Sequence, residues 1–386
     1  MDPDRLNLRH LRAAAAVVRS GSVTAAARLV SLTQPAVTQA LAKLERQIGL
    51  SLFERVPGGM VATEAGRMLA ARVDAATRMV ASPRVTLTQS RAFLALARAG
   101  SYAAAALHTG LSEASLHRAV ADLSISVGQT LIERRGRAVT LTPRGLTIAR
   151  RLRLARAELA SALAELAALQ GREVGRIAVG AMPLSRARLL PNAIAAFHRI
   201  HAEVGIAVSE GSHVELVGPL RDGELDLMVG AVRDVLPSDL TQRPLFVDRP
   251  VVLGRAGHPL AASGPIALEH LESFSWIVPE RGTPLRRQWE QMFAGAGRTP
   301  PRVAIECGSV MMVRQLLVQS DSLTLLSVDQ VAVELEAGWL AILGEAPGEI
   351  SRTIGITTRS DWRPTPRQLG FIAAIEAEAA LIAASR

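Results

Sequence analysis

The stretch SVTAAARLVSLTQPAVTQALAKLERQIG, from Ser22 to Gly49, decides the fold of the N-terminal part of the chain. It reads as two helices at a steep angle joined by a tight turn. Thr33 is placed to cap the second helix, and Pro35 falls in its first turn, where a missing N–H costs nothing. Val37, Ala40, Leu41, Leu44 and Ile48 recur at helical spacing, which predicts an inward stripe. Gln34, Pro35, Thr38, Gln39, Ala42 and Arg46 are left facing outward. That surface is small and uncharged to basic, of the kind that can approach base edges in the major groove. With Thr33, and Thr24 at the start of the preceding helix, these residues are the candidate DNA contacts of the first reading head.

Working outward, LNLRHLRAAAAVV, GSVTAAARL, TQPAVTQALAKLE, GLSLFER and TEAG follow one another in order. Over Leu8 to Gly66 this run resembles the N-terminal domain of the bacterial LysR-type transcriptional regulators, and covers almost the whole of that motif. The resemblance implies a winged helix-turn-helix that binds double-stranded DNA. LFERVPGGMVAT predicts a short two-stranded wing with Pro57, Gly58 and Gly59 at its tip, in which Arg55 is the one basic residue where the family usually has several. A helix is expected from about Glu64 to Val80, stopping before Ser82-Pro83.

The family does not ordinarily have what comes next. A shift of 79 positions lays Gly21-Ser22 on Gly100-Ser101, Ala25 to Ala27 on Ala104 to Ala106, Gly49 on Gly128, Glu54-Arg55 on Glu133-Arg134, Thr63 on Thr142 and Gly66 on Gly145, without a gap. Val37, Leu41, Leu44 and Ile48 become Leu116, Val120, Leu123 and Val127, so a second winged helix-turn-helix is expected over residues 87 to 145. The outward face changes while the core does not. TQPAVTQ becomes SEASLHR, placing Glu113 where Gln34 stood and Ala114 where Pro35 stood. The second wing, ERRGRAVTLT, gains Arg134, Arg135 and Arg137 around Gly136. If both copies touch DNA, the second does so through Ser115, Arg118 and those three arginines; otherwise it is a spacer packed on the first copy or on a dimer mate.

The chain has 386 residues and a formal net charge of +9. Residues 1 to 170 hold 23 Lys or Arg against 11 Asp or Glu, whereas 171 to 386 hold 21 against 24. Phosphate contact is therefore expected in the first part alone. Cys307 is the sole cysteine, which excludes an intramolecular disulfide. The charged N-terminus is unlike a signal peptide and no apolar run would span a bilayer, so a cytoplasmic location is expected and no membrane partner. No nucleophile elbow, phosphate-binding glycine loop or cysteine pair is present, and no catalysis or cofactor is expected. His198 and His201 share a helix side without a third ligand in sequence, so no metal site is expected.

From Pro143 to Gln170 a long helix is expected, with Leu146, Ala149, Leu152, Leu159, Leu163, Leu166 and Leu169 near one face, interrupted by Arg156. The family resemblance makes it a dimerisation linker, giving a homodimer or homotetramer; the alternative is that its stripe packs within its own subunit. From Arg172 the pattern turns to short apolar strands alternating with helices, which predicts an α/β domain with parallel sheets covered on both faces. GRIAVGAMP, LLPNAIAAFH, LRDGELDLMVG and GHPLA resemble the co-inducer domain of the same family, itself similar to bacterial solute-binding proteins. That likeness implies two lobes around a small-molecule effector. The expected divisions are 1–82, first winged helix; 83–142, second; 143–171, linker; and 172–386, effector domain, with lobe one at 172–247 and 351–386 and lobe two at 248–350. Ligands of such sheets sit beyond the carboxyl ends of strands, near helix N-termini. Met182, Pro183, Leu184 and Ser185, then Ser212 and His213, then Arg281, Gly282 and Thr283, then Gly308, Ser309 and Val310 hold those positions. Hydroxyls with one arginine suit a carboxylate or a sugar, although the same hydroxyls could simply cap their own helices. ERGTPLRR is similar to regulators of aromatic-acid breakdown and sugar uptake. The rival to a DNA-binding regulator is a solute-binding or enzymatic protein whose helical N-terminus only meets partners.

Overall fold

The computed structural model describes residues 2–57, 59–135, 138–172, 175–262, 267–348 and 350–384. The chain divides into two compact units. One comprises Met1–Arg176 with Glu203–Gly205 and Arg221–Glu224, the other the remaining residues.

The first unit holds α1 (Leu8–Ser20), α2 (Val23–Leu29), α3 (Gln34–Ile48), β1 (Phe53–Val56), β2 (Gly59–Ala62), α4 (Glu64–Met79), α5 (Leu87–Ala99), α6 (Tyr102–Thr109), α7 (Glu113–Val127), β3 (Ile132–Arg135), β4 (Ala138–Leu141) and α8 (Pro143–Leu169). Each element of the second half starts 79 residues after its counterpart. The local causes repeat as well. Thr33 and Ser112 cap α3 and α7, while Thr63 and Thr142 cap α4 and α8 by accepting from the Gly66 and Gly145 N–H. Only glycine fits at those last two positions, because a Cβ would lie 2.2 Å from the Leu52 carbonyl oxygen at Gly66 and 2.0 Å from that of Leu131 at Gly145. Both helices thus start pressed against the backbone just ahead of the first strand of their wing.

One hydrophobic core runs through both copies, from Leu11, Val37 and Leu44 through Phe93, Leu116 and Leu123 to Leu152 and Leu159. The five inward positions of α3 are its five buried residues. The apolar stripe of α8 is covered inside the chain: Ala149, Leu152, Leu159, Leu163 and Leu166 are buried against the same core, and α8 packs along α4. Only Leu146 and Leu169, toward the helix ends, keep 59% and 41% exposure.

The second unit holds β5 (Arg176–Ala181), α9 (Leu189–Ile200), β6 (Gly205–Glu210), α10 (His213–Arg221), β7 (Leu227–Ala231), β8 (Leu240–Asp248), β9 (Val251–Arg255), α11 (Leu268–Glu272), β10 (Ile277–Val278), α12 (Pro284–Ala294), β11 (Ile305–Glu306), α13 (Val310–Val318), β12 (Thr324–Leu326), α14 (Ala332–Glu336), β13 (Leu340–Glu345), β14 (Arg352–Arg359) and α15 (Pro366–Ala384). A five-stranded sheet has the order β6-β5-β7-β14-β8, and a three-stranded sheet the order β12-β9-β13. The wholly parallel sheets expected from strand and helix alternation are not what forms. β5 and β7 are parallel, but β14 runs antiparallel to both β7 and β8, and β9 antiparallel to both its neighbours. β8 and β13 were not legible as strands.

The chain passes from the larger sheet to the smaller between β8 and β9 and returns between β13 and β14. Asp248 and Arg352, opposite each other in register at those two crossings, form an ion pair at 2.8 Å in which the carboxylate is wholly buried. The lobe of the smaller sheet is centred on Trp276, Trp289 and Phe293, stacked edge to face with centroids 5.4 to 6.1 Å apart.

Candidate nucleic-acid interface and effector site

The outward face of α3 is bare. Gln34, Pro35, Thr38, Gln39, Ala42 and Arg46 are all exposed, as are Thr24 on α2, the capping Thr33 and Arg55 on β1. Thr38 Oγ1 donates to the Gln34 carbonyl at 3.1 Å, and Arg46 Nε to the Ala42 carbonyl at 3.3 Å, so both side chains lie along the helix. Exposed Arg28 and Lys43 add positive charge beside this face. Sequence reasoning passed over both, since neither fits the outward pattern centred on the helix start. Glu45 turns the other way: its Oε1 accepts from the Leu52 and Phe53 N–H groups at 2.7 and 3.2 Å and fixes the approach to the wing.

On α7, Glu113 and Arg118 are exposed. Ser115 is half-buried and tied to the cap, with its N–H donating to Ser112 Oγ at 3.2 Å. His117 stacks on Tyr102 with centroids 3.5 Å apart. Arg134 and Arg135 lie on β3, opposite Val139 and Ala138 in the wing register; their side chains, and Arg137 with the wing-tip Gly58 and Gly136, fall outside the described residues.

Around the effector candidates the hydroxyls are largely engaged in local structure. Ser185 is wholly buried and donates to the Met182 carbonyl at 2.9 Å; Met182 and Leu184 are buried too, and Pro183 is half-buried. Ser212, Thr283 and Ser309 accept from the Glu215, Arg286 and Met312 N–H groups as helix caps. Arg281, Gly282, Gly308 and Ser309 are exposed, with Thr283 and Val310 half-buried. Arg286, not singled out from sequence, is the buried arginine of this segment, held by Glu290 and Glu306 at 2.9 and 3.0 Å over the Trp289 ring.

A different set of groups stands unsatisfied. His213 Nε2, Arg233 Nε and Gln288 Oε1 are buried without a hydrogen-bond partner. Burial, and then the Arg233 charge, hold the His213 imidazole below its usual pKa. Burial, and then the Arg287 charge, lower that of Arg233, with Asp234 opposing. Gln288 Nε2 donates to the Ser351 carbonyl at the second crossing, 2.7 Å away. The charges of Arg287, Arg233 and His213 bear on one another, and Gln288, next to Arg287 on α12, links this positive locus to the second crossing. Arg233 lies in a loop and carries no periodic signal, and Arg287 lies on the exposed side of α12, where an arginine is unremarkable, so the sequence concealed both. His201 packs on Phe197 and Arg367, and among the described residues no group of His, Cys, Asp or Glu could hold a metal ion.

A helix-turn-helix reader on the same chain as a two-lobed α/β domain defines the class of ligand-responsive transcriptional regulators. Residues 8–67 and again 87–146 match the helix-turn-helix model of the bacterial regulatory proteins of the LysR family, and residues 170–380 match the LysR substrate binding domain. The chain is 33% identical to the HTH-type transcriptional regulator GalR of Pseudomonas putida, over 97% of this chain and 98% of GalR. It is 32% identical to an SDS degradation transcriptional activation protein of a Pseudomonas species, over 71% and 90% of the two chains. A full-length OxyR variant from Pseudomonas aeruginosa superposes with a TM-score of 0.58 at 25% identity, covering 77% of this chain and 98% of that one. CbnR, a LysR family regulator, has the same fold with a TM-score of 0.54. The chain belongs to the LysR family of DNA-binding transcriptional regulators, whose members join DNA, bind small-molecule effectors through the substrate domain and assemble as oligomers. Its relatives are named as regulators and not as enzymes. Among the described residues no helix is long and apolar enough to cross a membrane.

Proposed function

We propose that this regulator reads base pairs through the outward face of α3 and responds to a small carboxylate held at His213, Arg233, Arg287 and Gln288. The observation that carries the effector class is the pair of buried nitrogens, His213 Nε2 and Arg233 Nε, left without hydrogen-bond partners. Buried polar groups of this kind are costly unless something pairs with them, and an anion supplies an acceptor for the guanidinium, and for the imidazole once it takes up a proton. Residues at the adjoining helix starts, Ser212, Thr283 and Ser309, would set the shape of the site with their backbone N–H groups. The ligand acts by preferring one arrangement of the two lobes, and its effect on DNA affinity cannot exceed that preference. Reading DNA places the protein in the bacterial cytoplasm, as a homodimer or homotetramer.

The test combines gel retardation on the DNA upstream of the gene with a thermal-shift screen of simple aromatic and aliphatic carboxylates against neutral sugars. The expected outcome is preference for that DNA over bulk competitor and a melting point raised by a carboxylate, an effect lost in Arg233→Met. Stabilisation by a neutral sugar that persists in Arg233→Met would overturn the carboxylate assignment.

A further inference from the structure

We propose that a single chain carries a complete two-headed DNA reader, in which α4 and α8 pair as two subunits would across a two-fold axis. The inference rests on the DNA-reading role of α3. Its first support is reciprocity. Under the 79-residue repeat, Arg72 corresponds to Arg151 and Met79 to Glu158. Arg72 Nη1 of α4 reaches Glu158 Oε2 of α8 at 3.1 Å, while Arg151 Nε of α8 reaches the Met79 carbonyl of α4 at 2.8 Å. Position i of one copy thus meets position j of the other, and j meets i, which is the signature of an isologous interface. The second support lies between the copies, where a small cavity is lined by equivalent pairs: Leu8 with Leu87, Ala76 with Ala155, Val80 with Leu159. Equivalent residues face one another only near a two-fold axis.

The pairing consumes the apolar face of α4 and leaves both reading helices open. Gln39 on α3 and its counterpart Arg118 on α7 are each exposed. The two faces are chemically unlike, since Thr38, Lys43 and Arg46 are replaced by His117, Asp122 and Ile125. A homodimer reads two copies of one half-site. This pair reads two different ones. Glutamine pairs best with the adenine edge and arginine with guanine O6 and N7 in the major groove, so the run under α3 is to contain a selected adenine and the run under α7 a selected guanine.

Enrichment of a random-sequence duplex pool on the full-length chain tests this. The expected product is a composite site of two unlike runs. Gln39→Ala is to relax preference about tenfold in one run and Arg118→Ala about tenfold in the other. Inserting about five base pairs between the runs, half a helical turn, is to abolish their joint selection, because the packed heads cannot follow. A site with a single run, or one in which Arg118→Ala changes no position, overturns the proposal. So does a palindrome whose two halves both respond to Gln39→Ala, for then the two heads come from two chains. Failure to enrich any sequence would instead overturn the DNA reading by α3 itself.

Discussion

Among single residues His213 has the most consequential setting. An unfolded histidine titrates near 6.5, while here burial and Arg233 favour the neutral ring, so below that pH the unfolded chain binds the proton more readily than the folded one. Stability from this group is complete above the ordinary histidine pKa and declines as pH falls through it. His213→Gln is therefore expected to flatten the fall in melting temperature between pH 7 and pH 5.5, read by calorimetry without ligand. The same ring should take up a proton when an anion arrives, so binding of a carboxylate found in the screen should tighten as pH falls in the parent but not in the variant; a parent affinity independent of pH would remove the ring from the site. The outward residues of α3 were legible because an amphipathic helix defines its exposed set by subtraction from its buried one. His213 was legible only as a position after a strand, and its partner Arg233 not at all, since an ion cluster is assembled by residues distant in sequence.

Among elements, the pairing of α4 with α8 carries the most electrostatic risk. Arg72 is 7% exposed between Glu158 and Glu165, each 10% exposed. Burial alone would lower the guanidinium pKa, but the hydrogen bonds and charges of the two glutamates outweigh it and raise it. Replacing the arginine strands two carboxylates in a dry setting. Arg72→Met should cost about 3–5 kcal/mol in urea unfolding, and adding Glu158→Gln with Glu165→Gln should recover most of that loss; a triple variant as weak as the single one would contradict the account. The same scale shows where strand signals failed. In LTQRPLFVD, Pro244 interrupts any alternation, and β8 accepts it because it is an edge strand whose register with β14 shifts at that point. In LAILGE the register of β13 against β9 slips between Ile342 and Gly344, a bulge that hides a period of two. Helix caps and glycines were plain because their causes are local. The fate of the α8 stripe was not, because an apolar face does not say whose surface covers it.

Across the whole molecule, the charge contrast between the basic N-terminal part and the slightly acidic remainder marks the DNA-binding part in the sequence itself. The shared core makes a further expectation at this scale. Leu116 lies in the second head but in the same buried cluster as α3, so Leu116→Ala, at a cost of about 2–5 kcal/mol, should speed amide exchange in α3 as well as in α7. Loss of protection confined to α7 would mean that the heads open independently. The embrace of α4 by α8 also frees the heads from the law of mass action. Where two separate polypeptides must meet before they can grip a duplex, these are tethered by a few residues and find each other at a local concentration that dilution cannot lower. A cell holding only a handful of these molecules would still hold the same number of fully formed grips.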